Sequence, residues 1–379
     1  MQTAPAQSAD HDESLTRRNA FDASLKYFLG PLAELFADDA VSEIIVNGPA
    51  DVYVERNGQL KRADLRFRSA RELLAAANNI AQYVGGTVDA ARPILDGRLP
   101  DGSRVCIVLP PIVESGAAIN IRRFRRAAVL PQFLLDAGAV TPAAIEFLLL
   151  AVRAHQNILV SGGTGSGKTT LLNVLSTAFG TNERIVVIED TRELQVQQRH
   201  VVQMEARPAD GDGRGRITVR DLFVTSLRMR PDRIIVGEVR REEAMDLIQA
   251  MTSGHRGCMA TLHASTPSDA CHRLETLVLM AGTGLPVAAI RRQIASAIDL
   301  IVQTSRLPDG RRMVTHITEV ACNDQTHTYE ISDLFSLADE GQDGAGQLVW
   351  RDRRPRFVAD PHWRVLRKES GRPEFFAKD

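Results

Sequence analysis

The chain has 379 residues, 44% of them hydrophobic and 25% charged, which exceeds the usual size of a single core and predicts two folded domains plus tails. A formal net charge of -1 gives no global pull toward nucleic acid or an anionic membrane, and apolar runs such as Ile145 to Val152 stop far short of a membrane span. The cysteines Cys106, Cys258, Cys271 and Cys322 lack Cys-x-x-Cys spacing, which argues against zinc and for reduced thiols; with the polar N-terminus MQTAPAQSADHDES, a cytoplasmic protein is expected.

In chain order, residues 1–18 lack periodicity and read as a disordered tail. Residues 19–124 form a smaller α+β domain. Within it Phe28, Leu29, Leu32, Leu35 and Phe36 recur at helical spacing, and Val41 to Val46 is a strand. Val52 to Glu55 leads into the hairpin signal Asn57-Gly58, residues 70–84 are helical, and Val105 to Leu109 and Ala118 to Ile121 are strands. Residues 125–140, with Pro131 and Gly138, read as a linker. Residues 141–338 are the second domain: a helix over Pro142 to Ala154, then Ile158 to Val160, Ile185 to Ile188, Ile234 to Val236, Met259 to Leu262 and Leu300 to Gln303 alternating with helices. That alternation predicts an α/β fold with a mainly parallel sheet. Met313 to Val320 and Thr328 to Ile331 are late strands. The loop 207–216, RPADGDGRGR, is expected to be mobile or completed by a neighbouring subunit, and residues 339–379 read as a C-terminal tail.

Gly162-Gly163-Thr164-Gly165-Ser166-Gly167-Lys168-Thr169 lies between the strand pattern Asn157 to Val160 and a helix beginning near Thr170. Glycines let the backbone turn its N–H groups inward, and the helix N-terminus adds positive potential, so the segment cradles phosphates. Lys168 is placed for the β- and γ-phosphates and the Thr169 hydroxyl for Mg²⁺. Many trades share this loop.

Hydrolysis calls for a carboxylate near the γ-phosphate, and Arg233-Ile-Ile-Val-Gly-Glu238 brings Glu238 to a strand end at the same sheet edge. Ile188-Glu189-Asp190-Thr191 adds an acidic pair there, one member of which is placed to approach Mg²⁺ or its waters, with Asp190 or Thr191 alternatively capping a turn. His263 ends the strand Cys258 to Leu262 on the phosphate side and is a γ-phosphate sensor or interface contact; His255 precedes that strand. In the small domain, Arg104 and Arg122 are candidates for stabilising phosphoryl charge in trans. The run Arg122-Arg123-Phe124-Arg125-Arg126 reads as a solvated basic face or as an anionic-partner patch.

The segments GGTGSGKTT, IEDTREL, SLRMRPDRIIVGEVR and SGHRGCMATLHASTPSDA resemble the secretion ATPase superfamily of type II and type IV secretion and type IV pilus systems. LGPLAELFADDAVSEIIVNGPADVYVERNGQL, DGRLPDGSRV and AIDLIVQTSRLPDGRRMVTHITEV look most like the CpaF-type motors of tight-adherence pili, and the likeness spans roughly 28–335. The resemblance implies a RecA-like P-loop domain preceded by a PAS-like α+β domain, and a homohexameric ring, peripheral at the inner membrane, that hydrolyses ATP with Mg²⁺ and pushes on an inner-membrane platform protein. On matching positions it makes Gly162, Gly163, Thr164, Gly165, Ser166, Gly167, Lys168, Thr169 and Thr170 the nucleotide loop and Glu238 the catalytic glutamate. Glu189 falls in the acidic box and His263 in the histidine box, while Arg104 and Arg122 become phosphate contacts. Two departures keep the subfamily open: Arg241 follows GEVR where relatives carry Gly or Asp, and Arg192 sits in the acidic box as in conjugation-type members. The missing four-cysteine insertion argues against the type II secretion and pilus-extension branches. The competing reading is a RecA-like nucleic-acid motor or a conjugation-type DNA-transfer ATPase; near-neutral charge and 5% aromatic content offer little for strand binding.

Overall fold

A computed structural model describes residues 30–56, 58–124, 130–209, 214–338 and 346–366, with 370, 372 and 375. The expected tail 1–18, Phe28, Leu29, Asn57, Arg125, Arg126, loop residues 210–213 and residues 339–345 lie outside the described residues. Contacts divide the chain into two compact units, Met1–Arg126 and Ala127–Asp379.

The first unit is built on β1 (Val41–Val46), β2 (Val52–Arg56), β3 (Gln59–Arg62), β4 (Ile94–Arg98), β5 (Arg104–Val108) and β6 (Ala118–Arg122), in the order β3-β2-β1-β6-β5-β4. Every described pairing is antiparallel. Alternation sends Val105, Ile107, Ile119 and Ile121 into a core shared with Leu73, Ala77 and Ile80 of the helix Ala70–Tyr83. Ser69 caps that helix by accepting the Glu72 N–H at 3.2 Å, a cap worth about 1 kcal/mol, and the Glu72 carboxylate accepts the N–H of Arg68, the residue before the cap. The sequence pattern did not predict β4, Ile-Leu-Asp-Gly-Arg, because Asp and Gly are poor strand formers. Its glycine is the reason it fits: a Cβ on Gly97 would lie 2.8 Å from the Val84 side chain.

The second unit contains β7 (Ile158–Gly162), β8 (Ile185–Glu189), β9 (Val201–Glu205), β10 (Arg233–Val236), β11 (Met259–Leu262), β12 (Leu300–Arg306), β13 (Arg312–Cys322), β14 (Tyr329–Leu337) and β15 (Leu348–Trp350). They form one sheet in the order β15-β14-β13-β12-β7-β11-β10-β8-β9. From β12 to β9 the pairings are parallel, and β13, β14 and β15 continue the sheet in antiparallel fashion. The inner strands are buried on both faces, which is why they read as unbroken apolar runs rather than alternating ones. Ile158, Val160 and Val187 enter one core with Phe147 and Leu172, whereas Leu159, Ile188 and Val236 enter another with Leu247 and Ile294.

Two stretches differ from the sequence expectation. The proposed linker contains a helix, Pro131–Asp136, with Leu134 buried, and the Ala139 carbonyl accepts the Val314 N–H at 2.8 Å. The proposed C-terminal tail contributes β15 and the helix Pro361–Val365, whose Trp363 is completely buried. Trp363 packs edge-on against Phe147 and Phe357, with ring centroids 5.5 and 4.9 Å apart. These aromatics have no period along the chain, so only the long-range contact with Phe147 reveals them as core.

Candidate nucleotide site

Parallel strands share one carboxyl edge, and at that edge β8, β10, β11 and β7 are consecutive neighbours. Glu189 ends β8, Glu238 follows β10, His263 follows β11 and the glycine loop follows β7. Sheet order therefore dictates that Glu238, His263 and Lys168 lie side by side.

The loop's shape follows from its small residues. Gly165 and Gly167 adopt φ of 67° and 100°, a region that favours glycine. A Cβ on Gly162 would collide with Thr304 of β12 and the Ser166 hydroxyl, whereas Gly163 and Gly165 face open space and leave their backbone approachable. The Ser166 hydroxyl donates to the Gly163 carbonyl at 2.9 Å and lies 2.8 Å from the Thr304 hydroxyl, so the neighbouring strand braces the loop. Lys168 opens the helix Lys168–Ser176, which carries Thr169 and Thr170 in its first turn, where N–H groups have no intrahelical acceptor. The Lys168 side chain is buried and donates to the Gly162 and Gly163 carbonyls at 2.9 and 2.8 Å.

The Lys168 ammonium also lies 3.3 Å from His263 Nδ1, and His263 Nε2 lies 2.9 Å from Glu238 Oε1. An ammonium only donates, so Nδ1 accepts and Nε2–H donates to the carboxylate. This fixes a neutral imidazole with the proton on Nε2. Burial, then the Lys168 charge, hold His263 below its ordinary pKa, in keeping with that state. The second Glu238 oxygen pairs with Arg240 Nη2 at 2.5 Å, and Arg240 Nη1 reaches Asp190 at 3.2 Å.

Glu189 is placed differently. It is buried, and one carboxylate oxygen accepts the N–H groups of Glu193 and Leu194 at 2.8 and 2.9 Å. Burial outweighs those bonds and raises its pKa to about 7. Its side chain covers Gly237, where a Cβ would lie 2.7 Å from Glu189 Cγ. The glycine between the apolar run and Glu238 is thus a packing requirement. Thr261 reinforces the spot by donating to the Gly237 carbonyl at 2.5 Å.

Arg104 and Arg122 lie in the first unit, directly opposite each other on β5 and β6. They face away from the core-facing Ile119 and Ile121, and Arg98 and Glu43 extend the same cross-strand row. His255 precedes β11 and so lies at the opposite sheet edge from Lys168. Sequence reasoning passed over Arg240 and Thr304. The signal for Arg240 was its position two residues after Glu238; Thr304 gave none, because only the β7–β12 pairing brings it to the loop.

Residues 28–336 match the type II/IV secretion system protein family. The chain belongs to that family. Among relatives of this secretion family, the type IV secretion system protein PtlH of Bordetella pertussis is 35% identical over 310 residues, covering 75% of this chain and 91% of that protein. The conjugal transfer protein TrbB of Rhizobium radiobacter is 36% identical over 289 residues, covering 74% and 85%. The crystal structure of the pilus retraction motor PilT with bound ADP shares the fold, with a TM-score of 0.54 at 21% identity over 82% of each chain. Among the described residues no helix is long and apolar enough to cross a membrane.

Proposed function

We propose that this chain is a cytoplasmic ATP hydrolase that acts as a hexameric motor at the inner membrane, working through a platform protein to assemble or retract a tight-adherence-type pilus or to drive secretion. The unbroken link Lys168–His263–Glu238 across adjacent strand ends carries the reading. It joins the residue that would hold the phosphates to a carboxylate able to polarise water. In this reading the larger unit is RecA-like, the smaller is PAS-like, and residues 162–170 form the phosphate cradle. Glu238 is the hydrolytic carboxylate, His263 senses the γ-phosphate, and Arg104 and Arg122 contribute phosphate contacts. Glu189 acts through the acidic-box turn that it holds.

Mg²⁺ would be held by the Thr169 hydroxyl, neutralising phosphate charge. Among the described residues no three His, Cys, Asp or Glu gather as a metal site, so such a cation would depend on the nucleotide's own oxygens. The test is Mg²⁺-dependent phosphate release by the purified full chain, with nucleotide binding and assembly size measured in parallel. Lys168→Ala should lose binding, while Glu238→Gln should bind nucleotide and lose turnover by at least about 100-fold. Full turnover in Glu238→Gln would sink the assignment.

A second reading, a conjugation-type DNA-transfer motor, is favoured by the relative named as a conjugal transfer protein. It requires hydrolysis stimulated by polynucleotide. A net charge of -1 argues for the pilus or protein-secretion motor instead.

A further inference from the structure

Arg240 stands where the ends of β8 and β10 meet. The backbone there is held by a buried group: Glu243, 4% exposed, accepts the N–H groups of Arg240 and Arg241 at 2.7 and 2.9 Å. The close approach of Gly237 to Glu189, with the Gly237 N–H donating to the Ile188 carbonyl at 2.8 Å, draws the two strand ends together. From this turn Arg240 spans two carboxylates, Nη2 on Glu238 and Nη1 on Asp190. Its side chain and that of Asp190 are each about half exposed, so the bridge adds little to stability. Its geometric effect is larger. With His263 on one oxygen and Arg240 on the other, the Glu238 carboxylate is fixed in plane and direction.

We propose that Arg240 is a positioning residue for hydrolysis, aligning Glu238 by tying it to Asp190 of the acidic box. The proposal rests on the reading of Glu238 as the hydrolytic carboxylate. A guanidinium suits the task because its planar fork engages two acceptors in fixed geometry, which an ammonium does not. Asp190, placed by sequence among residues approaching Mg²⁺ or capping a turn, becomes the outer anchor of the catalytic carboxylate.

The experiment compares Arg240→Gln, Arg240→Lys, Asp190→Asn and the Arg240→Gln/Asp190→Asn double variant in the full chain, with Glu238→Gln alongside. Readouts are kcat and KM for MgATP, binding of a fluorescent ATP analogue, and thermal unfolding. Misdirecting Glu238 should lower kcat in Arg240→Gln about 10- to 100-fold, with KM and analogue binding within about twofold. Arg240→Lys should recover part of the loss, and Asp190→Asn should lower kcat in the wild-type background but not in Arg240→Gln. Three results overturn the proposal: kcat within about twofold of wild type in Arg240→Gln, weakened nucleotide binding that accounts for the whole effect, or additive Asp190 and Arg240 losses. If Arg240→Gln fails to fold, Arg240→Lys and Asp190→Asn decide by the same criteria. Retained turnover in Glu238→Gln would remove the underlying reading, whereas an inactive Glu238→Gln beside a fully active Arg240→Gln would remove the Arg240 proposal alone.

Discussion

Gly237 and Glu189 are fitted to each other: the buried Glu189 side chain fills the space where any larger residue at 237 would place its Cβ, 2.7 Å from Glu189 Cγ. The same carboxylate holds the N–H groups of Glu193 and Leu194, so it cannot move aside without releasing that turn. Gly237→Ala should therefore destabilise the protein by about 1–3 kcal/mol, the usual cost of overpacking, and lower turnover by disturbing Glu238 next door. Urea denaturation and phosphate release measure the two effects. Adding Glu189→Ala should relieve the clash and make Gly237→Ala nearly neutral in that background; an unchanged penalty there would show that the steric account is wrong.

The orientation of His263 makes a prediction about which nitrogen matters. Nε2–H donates to Glu238 and Nδ1 accepts from Lys168. Gln at 263 places an amide near the Nε2 position and Asn near Nδ1, so the pair separates the two roles. His263→Ala should lower kcat by about 100-fold, Gln should retain more activity than Asn, and a reversed ranking would move the essential contact to Lys168. Because the pKa lies below the ordinary 6.5, the neutral form persists from there upward. Activity depending on it should decline only as pH falls through that lowered value.

The C-terminal segment belongs to the folded core. Trp363 is fully buried among Phe147 and Phe357. Trp363→Ala should cost about 3–5 kcal/mol, whereas Trp363→Phe should cost less, since a second aromatic ring still fills most of the space against Phe147 and Phe357. Both tryptophans of the chain, Trp350 and Trp363, sit in this segment, so tryptophan fluorescence reports its unfolding selectively. Coincidence of that transition with circular dichroism is expected; earlier loss of the fluorescence signal would mean that the segment detaches on its own.

The parts legible in the sequence were those written locally. The glycine loop declares itself by spacing, the inner strands by unbroken apolar runs, and Glu238 by following such a run. What stayed hidden depended on neighbours in the sheet. β9, Val-Val-Gln-Met-Glu, is half-buried at an edge and lacks clean alternation; β4 is a strand by virtue of β5; Thr304 reaches the loop only through the β7–β12 pairing. Arg240 was visible as a residue but not as a bridge, because Asp190 lies fifty positions away in the chain. Nothing local in the sequence places Arg104 opposite Arg122; their direct pairing on adjacent strands follows from register.

Glu319 provides a test of how the C-terminal segment responds to pH. It is 2% exposed on β13; one carboxylate oxygen accepts the Arg356 N–H at 2.6 Å, and the other has no partner among the described residues. Burial raises its pKa from 4.5 to about 7. The folded state therefore binds a proton more tightly than the unfolded chain, and this group's contribution is full below pH 4.5 and lost as pH rises to about 7. The loss amounts to at most about 3 kcal/mol at one pKa unit per 1.4 kcal/mol. Asp299, raised to about 6 by burial, acts in the same direction, and Glu183, lowered to about 2 with His155 and Arg233 as partners, opposes only at more acid pH. Chemical denaturation of wild type and Glu319→Gln at pH 5, 6, 7 and 8 (about unit steps across the window set by the raised pKa) should show the variant gaining relative stability as pH rises. Parallel pH profiles would mean that Glu319 keeps an ordinary carboxylate pKa despite its burial.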